Sequence, residues 1–319
     1  MRTRVTRAAF VLSIAASALL GASTAAGAQD APIVLSGPPN DSSGTMLYAQ
    51  DLGMFAKAGL NVKLQIVANP GSVAPAVVGG SVTIGNLTVP AIALARDKGI
   101  PLVIIAPGSI YSSAAPTSGI IVLKSSPIRK AADLNGKSVA TRDLSNLSYY
   151  GAKTWIDKNG GDSKTIKWLE INDTQTVPAL LAGRIDAASV SEPALDDAVH
   201  GEDARMLAAV YDAIGDKFMI SCYFTTEDYA KAHPDIIRKF ADVIVSAGIW
   251  ANKNHAASAK ILEKYAGVAV PPNATRVTYA ERMRPADIDP VLATLQQYGL
   301  VKPGVKSSDM FVTDPASTR

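Results

Sequence analysis

The chain has 319 residues, with 31 Lys+Arg against 28 Asp+Glu, three His and a single cysteine. Three of the basic residues and none of the acids fall within the first 28 positions, so the rest of the chain carries 28 charges of each sign and no formal net charge. That balance excludes a sequence-independent nucleic-acid binder, which needs a basic surface, and electrostatic attachment to a membrane. One cysteine excludes an internal disulfide.

Residues 1–28 read as a secretory signal peptide. Arg2, Arg4 and Arg7 give a positive start, 8–20 is apolar apart from Ser13 and Ser17, and Ala26-Gly27-Ala28 supplies the small-x-small cleavage pattern. Cleavage is expected after Ala28. The apolar part is shorter than the roughly 18 residues a spanning helix needs. No cysteine lies near the cleavage site to carry a lipid anchor. The mature chain is therefore expected in a periplasm, soluble and without a membrane anchor, and its length suits two domains or lobes.

From there strand and helix patterns alternate. Strands are predicted over 33–35, 61–67, 82–84 and 102–106. Helices are predicted over 44–58, 73–78 and 89–97, closed by Gly59, Gly79-Gly80 and Gly99. A second round follows, with strands over 119–123, 138–140, 166–171 and 187–189. Its helices are 146–158, ended by Gly160-Gly161, and 177–182, ended by Gly183. This alternation predicts mostly parallel sheets covered by helices. "VVGGSVTIGNLTVPAI" (77–92) and "LLAGRIDAASVSEPAL" (180–195) repeat one order of apolar helix, glycine turn, short strand, polar loop and proline. The echo predicts two similar α/β lobes. Beyond Ile220 the chain turns helical, over 234–254, 256–265 and 285–298, with Ile236, Ile237, Phe240, Val243, Ile244 and Ala247 at helical spacing. The polar segment after Lys302 is expected to order only by docking. Cys222 lies in the apolar run 218–224 and reads as a buried strand residue rather than a nucleophile.

Four signatures in order, "AQDLGMFAKAGLNVKL" (49–64), "VVGGSVTIGN" (77–86), "IRKAADLNGKSVA" (128–140) and "LLAGRIDAASVSEP" (180–193), resemble the NMT1/THI5-like family. These are periplasmic substrate-binding proteins of ABC importers, of the nitrate/sulfonate/thiamine-precursor type. The resemblance covers nearly all of the mature chain. It implies the type II periplasmic binding protein fold, with two α/β lobes and a ligand cleft at a hinge. By that analogy 29–121 plus 219–319 form one lobe and 122–218 the other. The implied partners are a small-molecule ligand and an ABC transporter permease, and the implied state is a monomer.

In open α/β sheets ligands bind beyond the carboxyl ends of strands, where loops enter helix N-termini. That rule selects the loops 36–43, 69–72, 86–88, 108–113, 142–148 and 189–192. Asn40, Asp41, Ser42 and Ser43 crowd the start of the first helix; one of them serves as N-cap and the others can face a cleft. Gly71, Ser72, Asn86, Leu87 and Thr88 offer short polar groups and free backbone N–H donors. Tyr111 could stack on a flat ligand. Asp143, Ser145, Asn146 and Ser191 are the counterparts in the second lobe. Glu192 occupies the family's "EP" position and is expected to accept a ligand N–H or O–H; the competing role is a helix-start carboxylate that satisfies the macrodipole.

Arg142 is the only Arg or Lys in these loops, against Asp41, Asp143 and Glu192. The balance favours a neutral or amine-bearing organic ligand, such as a heterocycle, over nitrate or sulfate, which recruit Arg forks. A sulfonate held by helix N-termini stays open. No G-x-S-x-G, H-E-x-x-H or GxxxxGK[ST] motif appears. His200, His233 and His255 lack ligand spacing. No catalytic residue, metal or cofactor is expected. The alternatives are a pyrimidine-precursor enzyme of the THI5-like type, whose cysteine-rich motif this chain lacks, and a ligand-sensing periplasmic protein.

Overall fold

Short apolar runs, several followed by a helix that closes on glycine, assemble into two five-stranded sheets. The computed structural model describes residues 32–267, 269–271 and 274–312; the signal peptide read at 1–28 lies outside them. The strands are β1 (Ile33–Gly37), β2 (Val62–Ile66), β3 (Ile84–Thr88), β4 (Leu102–Pro107), β5 (Ser109–Ser112), β6 (Ser118–Leu123) and β7 (Ser138–Thr141). They continue as β8 (Lys167–Glu170), β9 (Ala187–Ser191), β10 (Ala204–Ala209), β11 (Lys217–Met219), β12 (Ser221–Thr226) and β13 (Thr278–Tyr279). The helices are α1 (Gly44–Asp51), α2 (Met54–Lys57), α3 (Val73–Val78), α4 (Val89–Asp97), α5 (Leu147–Lys158) and α6 (Asp173–Leu181). After them come α7 (Ala194–His200), α8 (Glu227–Ala232), α9 (Pro234–Lys253), α10 (His255–Ala266) and α11 (Asp289–Gln297).

The first sheet has the order β2-β1-β3-β12-β4 and the second β8-β7-β9-β6-β10. In the first, β1 runs parallel to β2 and β3, and β12 is antiparallel to β3 and β4. In the second, β7 runs parallel to β8 and β9, and β6 is antiparallel to β9 and β10. The two orders are therefore equivalent, with β6 in the place of β12. The internal echo read from 77–92 and 180–195 falls on α3-β3-α4 and on α6-β9-α7, which hold corresponding places in the two lobes.

Each sheet is mostly parallel, as expected, with four strands running one way, but each also takes in one antiparallel strand that the alternation does not predict. In the first sheet it is β12, whose Cys222, Tyr223 and Phe224 are fully buried. An apolar run of this kind satisfies a central strand with both faces covered. Three further expectations needed correction. The helix over 44–58 breaks at Gly53, whose φ of +65° is a left-handed conformation open to glycine. Asn86, Leu87 and Thr88 complete β3 instead of forming a loop, and most of 108–113 is the strand β5.

The chain passes between the sheets twice, through β5 and β11, which pair with each other. The C-terminal β13 pairs with β5 on its other side, so a three-stranded ribbon joins the lobes. The long α9 packs against α1, with the Trp250 ring 5.9 Å from Tyr48, and against α2, where Phe55 stacks on Phe240 at 5.7 Å. The segment after Lys302 docks on the first lobe: Met310 and Phe311 are buried and Val312 N–H donates to Ile104 O at 3.1 Å. Among the described residues no helix is long and apolar enough to cross a membrane.

Candidate functional site

A cavity of about 590 Å³ opens where the carboxyl ends of β1, β3, β7 and β9 approach one another, and both lobes line it. Of the residues selected from sequence, Asn40, Ser42, Gly71, Asn86, Leu87, Thr88, Asp143, Ser145, Asn146 and Ser191 stand on its wall. Asp41, Ser43, Ser72, Tyr111 and Glu192 do not.

On the first lobe, the turn after β1 is held by its own side chains. Asn40 Oδ1 accepts from Ser43 N–H at 3.2 Å, and Ser43 Oγ donates to the Pro38 carbonyl. Ser43 is thereby buried in the cap. Asp41 points the other way. Its Oδ1 accepts from Arg276 Nε at 2.8 Å, and its Oδ2 accepts from Val277 N–H at 2.8 Å. Tyr279 donates its hydroxyl to the Asp41 carbonyl at 2.7 Å, and Arg276 Nη2 reaches Tyr48 Oη at 2.6 Å. Gly44 makes this packing possible, since a β-carbon there would stand 2.3 Å from Tyr279 Oη. Asp41 therefore pins the C-terminal segment beneath α1. Ser72 turns back to the Asn69 carbonyl at 2.9 Å, while Gly71 keeps its place on the wall.

Further along this lobe, Asn86 Nδ2 donates to Cys222 O at 3.3 Å. Cys222 lies buried in β12, and burial pushes its thiol well above the ordinary range. That environment opposes the thiolate a nucleophile requires. Ser221, beside it, donates to the Ser42 carbonyl at 2.6 Å and reaches the wall.

The second lobe puts more polar chemistry into the cavity. Ser148 Oγ lies 2.7 Å from Ser191 Oγ and 3.0 Å from Tyr211 Oη, and Ser118 Oγ lies 3.2 Å from both serines. Burial raises the Tyr211 phenol, so it stays a neutral donor and acceptor. Arg142 and Asp173 form an ion pair on the wall. Burial raises the Asp173 carboxyl, opposed by the Arg142 charge. Asp143 Oδ1 accepts from Ser145 N–H and Oγ, both at 2.6 Å, and Asn146 N-caps α5 through Tyr149 N–H at 2.9 Å.

Two expectations are reassigned by their partners. Tyr111 sits on β5 inside the connecting ribbon, fully buried, with its hydroxyl on Asp212 and its ring 5.3 Å from Tyr211. It has no free face for a ligand. Glu192 is buried after β9, and its Oε2 accepts from Asp196 N–H at 3.0 Å in the first turn of α7. Burial, aided by the Asp196 and Asp41 carboxylates, raises its carboxyl to about 8 against the lowering effect of the Asp196 N–H. The helix-start role describes this contact.

Asp173, Tyr211 and Ser221 join the wall without having been selected, as does an apolar face of α3 and α4. The strand-end rule would have reached Asp173, which follows β8, had the loop after the predicted 166–171 strand been included. Among the described residues no group of three or more His, Cys, Asp or Glu side chains converges on a point.

The family model described as "NMT1/THI5 like" matches residues 40–257. A Haemophilus influenzae protein named for thiamine biosynthesis is 28% identical over 148 residues, 46% of this chain and 45% of its own length. The taurine-binding periplasmic protein of Escherichia coli is 26% identical over 205 residues, 62% of this chain and 60% of its own. The chain thus spans less than two thirds of either curated relative. The crystal structure of the periplasmic aliphatic sulphonate binding protein SsuA from Escherichia coli superposes with a TM-score of 0.72 at 18% identity, covering 88% of this chain and 97% of that one. The chain belongs to the NMT1/THI5-like family.

Proposed function

We propose that this NMT1/THI5-like protein is a periplasmic solute-binding protein that captures a small organic molecule between its lobes and hands it unchanged to the permease of an ABC importer. The observation that carries this reading is a cavity walled by both lobes at their strand ends, with the β5–β11–β13 ribbon joining them. Two lobes on a narrow ribbon can close around a ligand by hinge motion. The names of the taurine-binding relative and of the sulphonate-binding structural neighbour support the same role. In this reading export follows cleavage after Ala28, and the mature protein is an unanchored monomer. Its lobes follow the expected 29–121 plus 219–319 and 122–218, with β6 (Ser118–Leu123), a strand of the second sheet, counted whole with the second lobe.

The ligand contacts are the ten wall residues selected from sequence, joined by Arg142, Ser148, Tyr211 and Ser221. No histidine lies on the described wall, and the Ser148, Ser191 and Tyr211 hydroxyls bond one another, which supports binding over hydrolysis. Arg142 is matched by Asp173, so the polar end favours an uncharged or amine-bearing group over a strong anion.

The test uses the mature protein from Gln29 and a library of neutral heterocycles, amines, aromatic acids and sulfonates. A ligand at about 100-fold over its Kd adds roughly 2.7 kcal/mol of stability, so a true ligand raises Tm by several degrees. It also lowers the radius of gyration in solution scattering. A library in which no compound does both overturns the reading.

A further inference from the structure

The cavity does not stop at the strand ends. It continues along a groove between α3 and α4, across the face of the first sheet. Ala91, Leu94, Ala95 and Lys98 stand on one face of α4 and its C-terminal cap, at helical spacing. Ala74, Pro75 and Val78 face them from α3, while Val73 and Val77 are buried and serve the core. Leu87 and Leu102 contribute from β3 and β4. The alanines are what keep the helices' facing surfaces apart from a tight fit, so the space between them is open. Val78 is 51% exposed, a large apolar side chain without cover.

One end of this space is polar, with Asn40, Ser42, Asn86, Ser148, Ser191 and Tyr211. The other is apolar up to Ile100, with Lys98 at its exposed far end. From Ala91 to Lys98 the helix rises about 10 Å, room for an unbranched chain of roughly six to eight carbons at the ~1.5 Å carbon–carbon distance. At the polar end the positive charge of Arg142 is already met by Asp173, and the Asp143 carboxylate adds a negative charge. An anionic head has no unmatched cation there, whereas an uncharged head finds hydroxyl and amide partners.

We propose that the ligand is an amphiphile, with an uncharged hydrogen-bonding head seated among the serines and Tyr211 and an apolar chain lying between α3 and α4. The proposal rests on the solute-binding reading and deepens it. Burial of each added methylene is worth about 0.8 kcal/mol, which is about a fourfold gain in affinity.

The probes are n-alkanamides from acetamide to octanamide and sodium alkanesulfonates of matching chain length, titrated calorimetrically into the mature protein. The expected result is an amide series that tightens about fourfold per methylene, with each sulfonate at least about tenfold weaker than the amide of equal length. Ala91→Phe, which fills the groove from a half-buried helix position, should flatten the series. Val78→Asn, at an exposed position that spares the fold, should reduce its slope. Acetamide binding as tightly as octanamide overturns the groove, and sulfonates binding more tightly than amides overturn the uncharged head. Silence from every amide also overturns the inference, while the solute-binding reading then stands or falls on the wider library.

Discussion

The two lobes have equivalent sheet orders, yet they present different chemistry to the cavity they share. In the first lobe the polar residues at the start of α1 are consumed by the fold: Asp41 holds Arg276, Tyr279 and Val277, and Ser43 closes the cap. What remains for the cavity is Asn40, Ser42, Asn86, Thr88, Ser221 and the apolar groove. In the second lobe the corresponding strand ends leave Ser148, Ser191, Tyr211 and the Arg142–Asp173 pair on the wall. The same topological position therefore serves stability on one side and, in the proposed function, recognition on the other. Whether a side chain reaches the cavity wall, rather than its charge, separates the two roles.

The largest effect is expected where the first lobe's network is broken. Asp41→Asn removes the charge that compensates a buried guanidinium; the Arg276 side chain is only 6% exposed. Loss of one partner of a buried pair costs about 3–5 kcal/mol, so thermal unfolding should shift down by roughly 10 °C. Affinity of the folded variant for its ligand should stay within about twofold. An unchanged Tm with lost binding would return Asp41 to the ligand site and erase the contrast between the lobes.

Glu192 gives the next effect, and its sign is set by the raised carboxyl. In the folded protein it titrates near 8, against 4.5 for the ordinary group. Below the lower value both states are protonated and the contribution to stability is fully present. As pH rises from about 4.5 to 8 the unfolded chain ionises while the native carboxyl, facing Asp196 and Asp41 with Arg276 nearby, keeps its proton. Stability is lost through that window, by on the order of 3 kcal/mol. Glu192→Gln keeps an oxygen for Asp196 N–H and removes the titration. The Tm difference between wild type and variant should therefore open steadily in the variant's favour from pH 5 to pH 8. A constant difference across that range would show that Glu192 does not hold this proton.

These contrasts explain what could be read in advance. The alternation of strands and helices was legible because Val, Ile and Leu runs end on glycines such as Gly79, Gly99 and Gly183. The doubled pattern at 77–92 and 180–195 disclosed two equivalent lobes. The antiparallel insertion of β12 was not legible, since an apolar run such as 218–224 states burial but not direction. Ten of the fifteen selected residues reach the wall because strand ends and helix starts define it. Asp41, Ser43 and Glu192 left it because their partners are distant in sequence or hidden in backbone geometry: Arg276 lies 235 residues from Asp41. Tyr111 was mistaken for a loop residue because 108–113 is rich in Ser and Gly, while its pairing with β11 depends on a strand a hundred residues later.

The smallest expected effect sharpens the comparison most, because it measures both lobes on one scale. Tyr211→Phe removes a single hydroxyl from the serine cluster and keeps the ring packed against Tyr111 and Phe218. Ser43→Ala removes a single hydroxyl from the α1 cap. Each hydroxyl is worth about 1 kcal/mol in stability, so the two variants should lose similar amounts in denaturant unfolding. Their affinities should diverge. Tyr211→Phe is expected to weaken an uncharged ligand by about five- to tenfold, while Ser43→Ala leaves it unchanged. If both variants bind alike, hydroxyl position relative to the wall carries no information about recognition. If Ser43→Ala is the weaker binder, the polar end of the ligand lies on the first lobe, and the assignment of head and chain must be reversed.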